Sequence, residues 1–90
     1  MRVLLYTKPD CHLCHEAETM LTRLQDELQE QLTFQVLQRN ILDDPELFQA
    51  YRYLIPVVVV ERSDQGPVSF HMPIPQEALR QALLGGAGEA

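Results

Sequence analysis

The spacing of apolar residues changes along this chain, and each change marks an element. Residues 2 to 7 carry Val3, Leu4, Leu5 and Tyr6 side by side, apolar toward both faces, as expected of an interior strand in a sheet covered on two sides. Thr7-Lys8-Pro9-Asp10 breaks that run. From Cys11 to about Glu30, Leu13, Ala17, Met20, Leu21, Leu24 and Leu28 recur at steps of three and four, the stripe of an amphipathic helix. Its other face is Glu16, Glu18, Arg23, Gln25, Asp26 and Glu27. Thr33 to Gln38 alternates as a second strand, and a right-handed crossover would set it parallel to the first.

Further on, Asp43-Asp44-Pro45-Glu46 reads as a helix start, a side-chain cap ahead of a proline. That helix runs to about Arg52 with Leu47, Phe48 and Tyr51 as its stripe. Pro56 precedes Val57 to Val60, a β-branched run that predicts a buried strand. A turn at Asp64-Gln65-Gly66-Pro67 returns the chain as an antiparallel strand over Val68 to Met72. Pro75 opens a last helix through Ala78, Leu79, Ala82 and Leu83, which the pair Gly85-Gly86 should end. The expectation is an α/β chain in the order β-α-β-α-β-β-α, with a four-stranded mixed sheet and three helices. It forms one domain over residues 1–84, followed by a disordered tail over 85–90.

Composition narrows the function classes. Ninety residues, 46% apolar and 22% charged, suit one small globular core. A net charge of −6 with seven scattered Lys and Arg argues against nucleic acid and against an anionic membrane surface. The apolar run Ile55 to Val60 is far shorter than the ~20 residues of a membrane span. The N-terminus enters a strand directly with no secretory pattern, so the expected location is the cytoplasm and the expected state a monomer. In a reducing compartment two cysteines spaced Cys-x-x-Cys are not expected to act as a structural staple, which points to redox or metal chemistry.

The candidate chemistry sits on Cys11 and Cys14. Three residues apart on the first turn of a helix, they fall within the ~4.4–6.8 Å Cα separation that a disulfide needs. Cys11 lies where unpaired N–H groups and the positive helix end favour an anion, so it is the expected attacking thiolate. Lys8 and a protonated His12 or His15 would add to that effect, and Glu16 and Glu18 would oppose it weakly. Cys14, beside the apolar stripe, is the expected resolving thiol. Cys11 would attack a substrate disulfide, and Cys14 would then release the product and leave a Cys11–Cys14 bridge.

The element order, the Cys-x-x-Cys at the first strand-to-helix junction and the proline opening the third strand resemble glutaredoxin and the wider thioredoxin superfamily. The run Thr7-Lys8-Pro9-Asp10-Cys11 with Cys14 is most similar to the small glutaredoxin-like proteins, whose function is not settled. The resemblance implies a thioredoxin fold and disulfide oxidoreductase activity without a bound cofactor. It also implies a partner that is a disulfide-containing protein or a small thiol. Ile55-Pro56 matches the family's cis-proline, which faces the cysteines and lets the preceding residue's backbone pair with a bound thiol peptide. Where the family uses glutathione as reductant, Lys8 matches the lysine that meets its carboxylate, and Ile55 the residue offering backbone hydrogen bonds. The Gly-Gly turn and acidic residue that hold the γ-glutamyl end are replaced by His71-Met72-Pro73-Ile74-Pro75, whose prolines have no N–H to offer.

Other classes compete. Cys11-His12-Leu13-Cys14-His15 also spells the haem-attachment pattern, but there is no export signal and the element order is not that of a small helical cytochrome. Cys11, Cys14, His15 and His71 could in principle hold zinc, although structural zinc normally draws ligands from two clusters. A binding or redox-sensing module of the same fold, without catalysis, is the main alternative. His12 and His15 read as exposed helix-start residues, His71 as a strand end, and Tyr6 and Tyr51 as packing.

Overall fold

The strand predicted to be interior is at the centre of the sheet. In this computed structural model, residues 1–62, 66–71 and 73–88 are described, the last three by backbone alone. β1 (Arg2–Thr7) lies between β2 (Gln35–Asn40), which runs parallel to it, and β3 (Val57–Glu61), which runs antiparallel. β4 (Val68–His71) pairs antiparallel with β3, giving the order β2-β1-β3-β4. The helices are α1 (His12–Glu27), α2 (Pro45–Tyr51) and α3 (Gln76–Gly88). This is the expected α/β chain with three helices on a four-stranded mixed sheet. Among the described residues no helix is long and apolar enough to cross a membrane.

Strand alternation sorts the core into two faces. Val3 lies opposite Val60 and Leu5 opposite Val58, and all four are fully buried with Ala17, Leu21 and Leu24 of α1 and Leu79 and Leu83 of α3. Leu4 and Tyr6 point the other way, opposite Val59 and Val57. There Tyr6 stacks on Tyr51 of α2, ring centroids 4.8 Å apart. The stripe of α2, Leu47, Phe48 and Tyr51, is only half-buried. β3, flanked by strands and buried along Val57 to Val60, accounts for the apolar run that stood out in the sequence.

Caps set the helix starts. Asp44 caps α2, its Oδ1 accepting from the N–H groups of Glu46 (2.9 Å) and Leu47 (3.4 Å), with Pro45 entering the first turn. Asp43 belongs instead to a short 3-10 turn, Ile41–Asp43, that the sequence pattern did not reveal.

Four boundaries differ from the sequence expectation. α1 ends at Glu27, short of Glu30, with buried Leu28 at its C-cap. Leu13, read as part of the stripe, is 43% exposed. The inward position of the first turn is taken by Cys14, three residues before Ala17, and Leu13 stands about 100° round the helix from it. β2 begins at Gln35 and extends to Asn40, two residues later than expected at each end. Phe34 is buried ahead of the strand, and its carbonyl accepts from the side chain of Gln25 (3.0 Å). α3 continues past the glycine pair to Gly88, so residues 85–88 are helical. A glycine stop requires a left-handed residue, and Gly85 does not adopt that conformation. Gly66 does, at φ 72°, while Asp64 and Gln65 of the same expected turn, and Met72 at the end of β4, lie outside the described residues.

Two ion pairs brace the elements. Arg2 and Glu61 face each other across β1 and β3 at 2.6 Å, and Arg80 of α3 reaches Glu27 of α1 at 2.7 Å.

Candidate functional site

Strand register places the predicted site residues at one end of the sheet. Thr7, the last residue of β1, is opposite Asn40, the last of β2. Tyr6 is opposite Val57, the first of β3, and Val57 is opposite His71, the last of β4. The loop carrying Lys8 to Cys11, the segment Tyr53 to Pro56 and the segment from Pro73 to Pro75 therefore all leave or enter the sheet at this end. Residues far apart in sequence are gathered there by the antiparallel return of β3 and β4.

Cys11 and Cys14 are joined in a disulfide, Cα atoms 5.2 Å apart. Cys11 is the N-cap of α1. Its extended backbone (φ −113°, ψ 103°) lets its Sγ accept from the Cys14 N–H at 3.2 Å, and its carbonyl accepts from the His15 N–H at 3.2 Å. A sulfur here does what a serine or aspartate oxygen does at most helix starts, satisfying an otherwise orphaned N–H. The two thiol positions differ in access, Cys11 half-buried and Cys14 only 4% exposed. Between them, His12 is exposed with its Nε2 3.6 Å from Glu16 Oε1, and Leu13 is exposed.

Pro56 is fully buried and follows a cis Ile55-Pro56 bond, the isomer the family resemblance implied. Ile55 is half-buried, and its N–H already donates to the Tyr51 carbonyl at 3.1 Å. Lys8 is exposed on the loop before Cys11. Just ahead of Ile55, Tyr53 is 84% exposed, and the Arg52 guanidinium lies 4.7 Å from its ring centroid. Leu42 and Leu54 are also exposed. Tyr6, which leads into the Lys8 loop, has its phenol pushed above its ordinary value of 10.0 by burial first and then by Tyr51 and Glu61, against the opposing pull of Arg39.

Two features here were missed in the sequence. Asp10, directly before Cys11, holds a left-handed backbone (φ 58°), for which the neighbouring Pro9 was the available signal. A groove of about 340 Å³ lies beside the site between α1 and the start of α3, lined by His15, Glu16, Thr19, Met20, Arg23 and Gln76. Only the packing of α3 against α1 creates it. On the segment between β4 and α3, Pro73 and Pro75 are exposed around buried Ile74. Among the described residues no three His, Cys, Asp or Glu side chains converge as a metal site.

A βαβ unit followed by a β-hairpin and a final helix, arranged in this strand order, is the thioredoxin fold. The bridged cysteines at its first strand-to-helix junction make the chain a dithiol protein of that fold. More narrowly, the chain belongs to the glutaredoxin-like domain family (DUF836), whose model matches residues 2–84. Among solved structures it is similar to the X-ray structure of Northeast Structural Genomics target protein XcR50 from X. campestris. The two share 30% sequence identity, and the match covers 90% of this chain and 93% of that one with a TM-score of 0.63. It is also similar in fold to thioredoxin 1 from the thermophilic eubacterium Thermosipho africanus TCF52B. There the identity is 10%, the coverage 92% and 90%, and the TM-score 0.62. No curated protein matches the chain.

Proposed function

We propose that the chain is a thiol-disulfide oxidoreductase in which Cys11 attacks and Cys14 resolves. The observation that carries this reading is the asymmetry of the pair: a half-buried Cys11 whose sulfur receives a backbone N–H, against a Cys14 held in the apolar face of α1. In the reduced protein the Cys11 thiolate attacks one sulfur of a substrate disulfide. A bond forms from Cys11 to that sulfur and the other sulfur leaves as thiolate. Cys14, deprotonated, then attacks Cys11 Sγ. The substrate's second sulfur departs as thiolate, and the substrate leaves with the two electrons that the Cys11 and Cys14 thiolates lose in forming their disulfide. Two equivalents of a small thiol reopen the bridge. The first forms a mixed disulfide with Cys11 and frees Cys14; the second attacks that mixed disulfide, so that Cys11 is freed and the two small thiols leave as their own disulfide.

Substrate binding falls to Lys8, Ile55 and Pro56. Since the Ile55 N–H is engaged by Tyr51 and proline has none, an incoming backbone N–H would pair with the Ile55 carbonyl. The substrate class is a disulfide-bearing protein or small disulfide. Glutathione is the candidate reductant, held from the Lys8 and Ile55 side only, because Pro73 and Pro75 offer no N–H to its other end. A monomer acting in the cytoplasm, where such a thiol is plentiful, suits this cycle.

The test is turnover of a small disulfide with glutathione in excess. Cys11→Ser should abolish it, and Cys14→Ser, given the disulfide without glutathione, should accumulate a mixed disulfide on Cys11 visible by mass. Equal turnover in wild type and Cys11→Ser, or none in wild type, would replace the enzyme reading with a binding or sensing module.

A further inference from the structure

Residues 8 to 11 carry the chain from Thr7, the last residue of β1, to His12, the first of α1. Pro9 and Asp10 make the turn. Proline fixes its own φ near −65°, and Asp10 follows at φ 58°, the proline-then-left-handed order of a type II turn. Among the described residues Asp10 is the one non-glycine residue with a positive φ, and it immediately precedes the N-cap cysteine.

The charge of Asp10 does not explain its place. A carboxylate one residue from a thiolate opposes the thiolate, whereas the helix start favours it. The backbone does explain it, because aspartate and asparagine enter the left-handed region far more readily than other side chains, and β-branched residues almost never do. Returning residue 10 to an ordinary negative φ is a swing of roughly 120° in one dihedral. With β1 paired on both sides, that swing falls on Cys11, which must keep an extended backbone for its Sγ to meet the Cys14 N–H.

We propose that Asp10 is a positioning residue, its left-handed turn fixing Cys11 as the N-cap so that the attacking sulfur receives the Cys14 N–H. This rests on Cys11 being the attacking thiol. The carboxylate is dispensable and the conformation is not.

The experiment follows the pH profile of iodoacetamide alkylation of the reduced protein, with the labelled cysteine mapped by mass. Wild type is compared with Asp10→Asn, Asp10→Gly and Asp10→Val. The three variants lose the same charge and differ in how readily they take a positive φ. Asn and Gly should keep the profile at or slightly to the acid side of wild type. Val should move it toward the ~8.5 of a free cysteine and slow labelling at about pH 6 by roughly threefold or more relative to Asn. If Val does not fold, Asp10→Ala against Asp10→Gly makes the same comparison. Profiles that coincide across Asn, Gly, Ala and Val overturn the positioning role and leave the Cys11 assignment standing. First labelling at Cys14 in the wild type overturns that assignment itself, and the positioning role with it.

Discussion

The two faces of the sheet are covered very differently. On one, α1 and α3 bury Val3, Leu5, Val58 and Val60 beneath Leu21, Leu24, Leu79 and Leu83, all at or near zero exposure. On the other, Val57 and Val59 are buried while Leu4 and Tyr6 are half-buried, and α2, which stacks Tyr51 on Tyr6, buries no residue of its own. Both cysteines belong to the thick side, since α1 carries them. The helix that supplies the chemistry is thus anchored by the part of the molecule least able to shift, while the residues leading to Pro56 extend from the lightly packed α2.

The sharpest way to break this contrast is at its centre. Leu24→Ala, a truncation at a fully buried position of α1, should cost about 2–5 kcal/mol in urea unfolding. Tyr51→Ala on the thin side should cost about 1–2 kcal/mol, the stack plus partial burial, and leave the rate of Cys11 alkylation unchanged. Equal costs for the two would show that α2 is as integral as α1.

Proton linkage sharpens the same contrast more gently. The Tyr6 pKa is raised in the folded state, so its contribution is fully present below about 10 and is lost as the pH rises through the folded value. Wild-type stability should therefore fall on the alkaline side, and Tyr6→Phe should flatten that limb in urea titrations above pH 10. The smallest effect belongs to α3. Glu77 is held below the usual carboxylate value of 4.5 by the side chain of Gln81 first and by Arg80. Its contribution is present above that value and is lost as the pH falls through the folded one. Glu77→Gln should leave stability near neutrality almost unchanged and make the decline below pH 4.5 slightly shallower.

Much of the site was legible because its signals are local. The Cys11–Cys14 pairing needs only a three-residue spacing on a helix turn, and the Asp44 cap needs only its own side chain and the next two N–H groups. Leu13 misled because a stripe identifies a helix face without saying which residue the neighbouring layer reaches at the end of the helix. The glycine pair misled because glycine permits a left-handed stop without imposing one, and α3 continues through it.

By itself, the sequence determined the kinds and order of the elements, the place of the dithiol at a strand-to-helix junction and the burial of the valine strand. Each depends on periodicity or on contacts a few residues long, which the chain carries wherever it folds. Tertiary structure decided which strand lies at the edge, the two-residue offset of β2, the cis bond before Pro56 and the left-handed turn at Asp10. It also decided the gathering of Lys8, Cys11, Ile55 and Pro56 at one end of the sheet. These depend on pairing between segments up to about sixty residues apart, as Arg2 with Glu61, and on the closing of two unequal layers over one sheet.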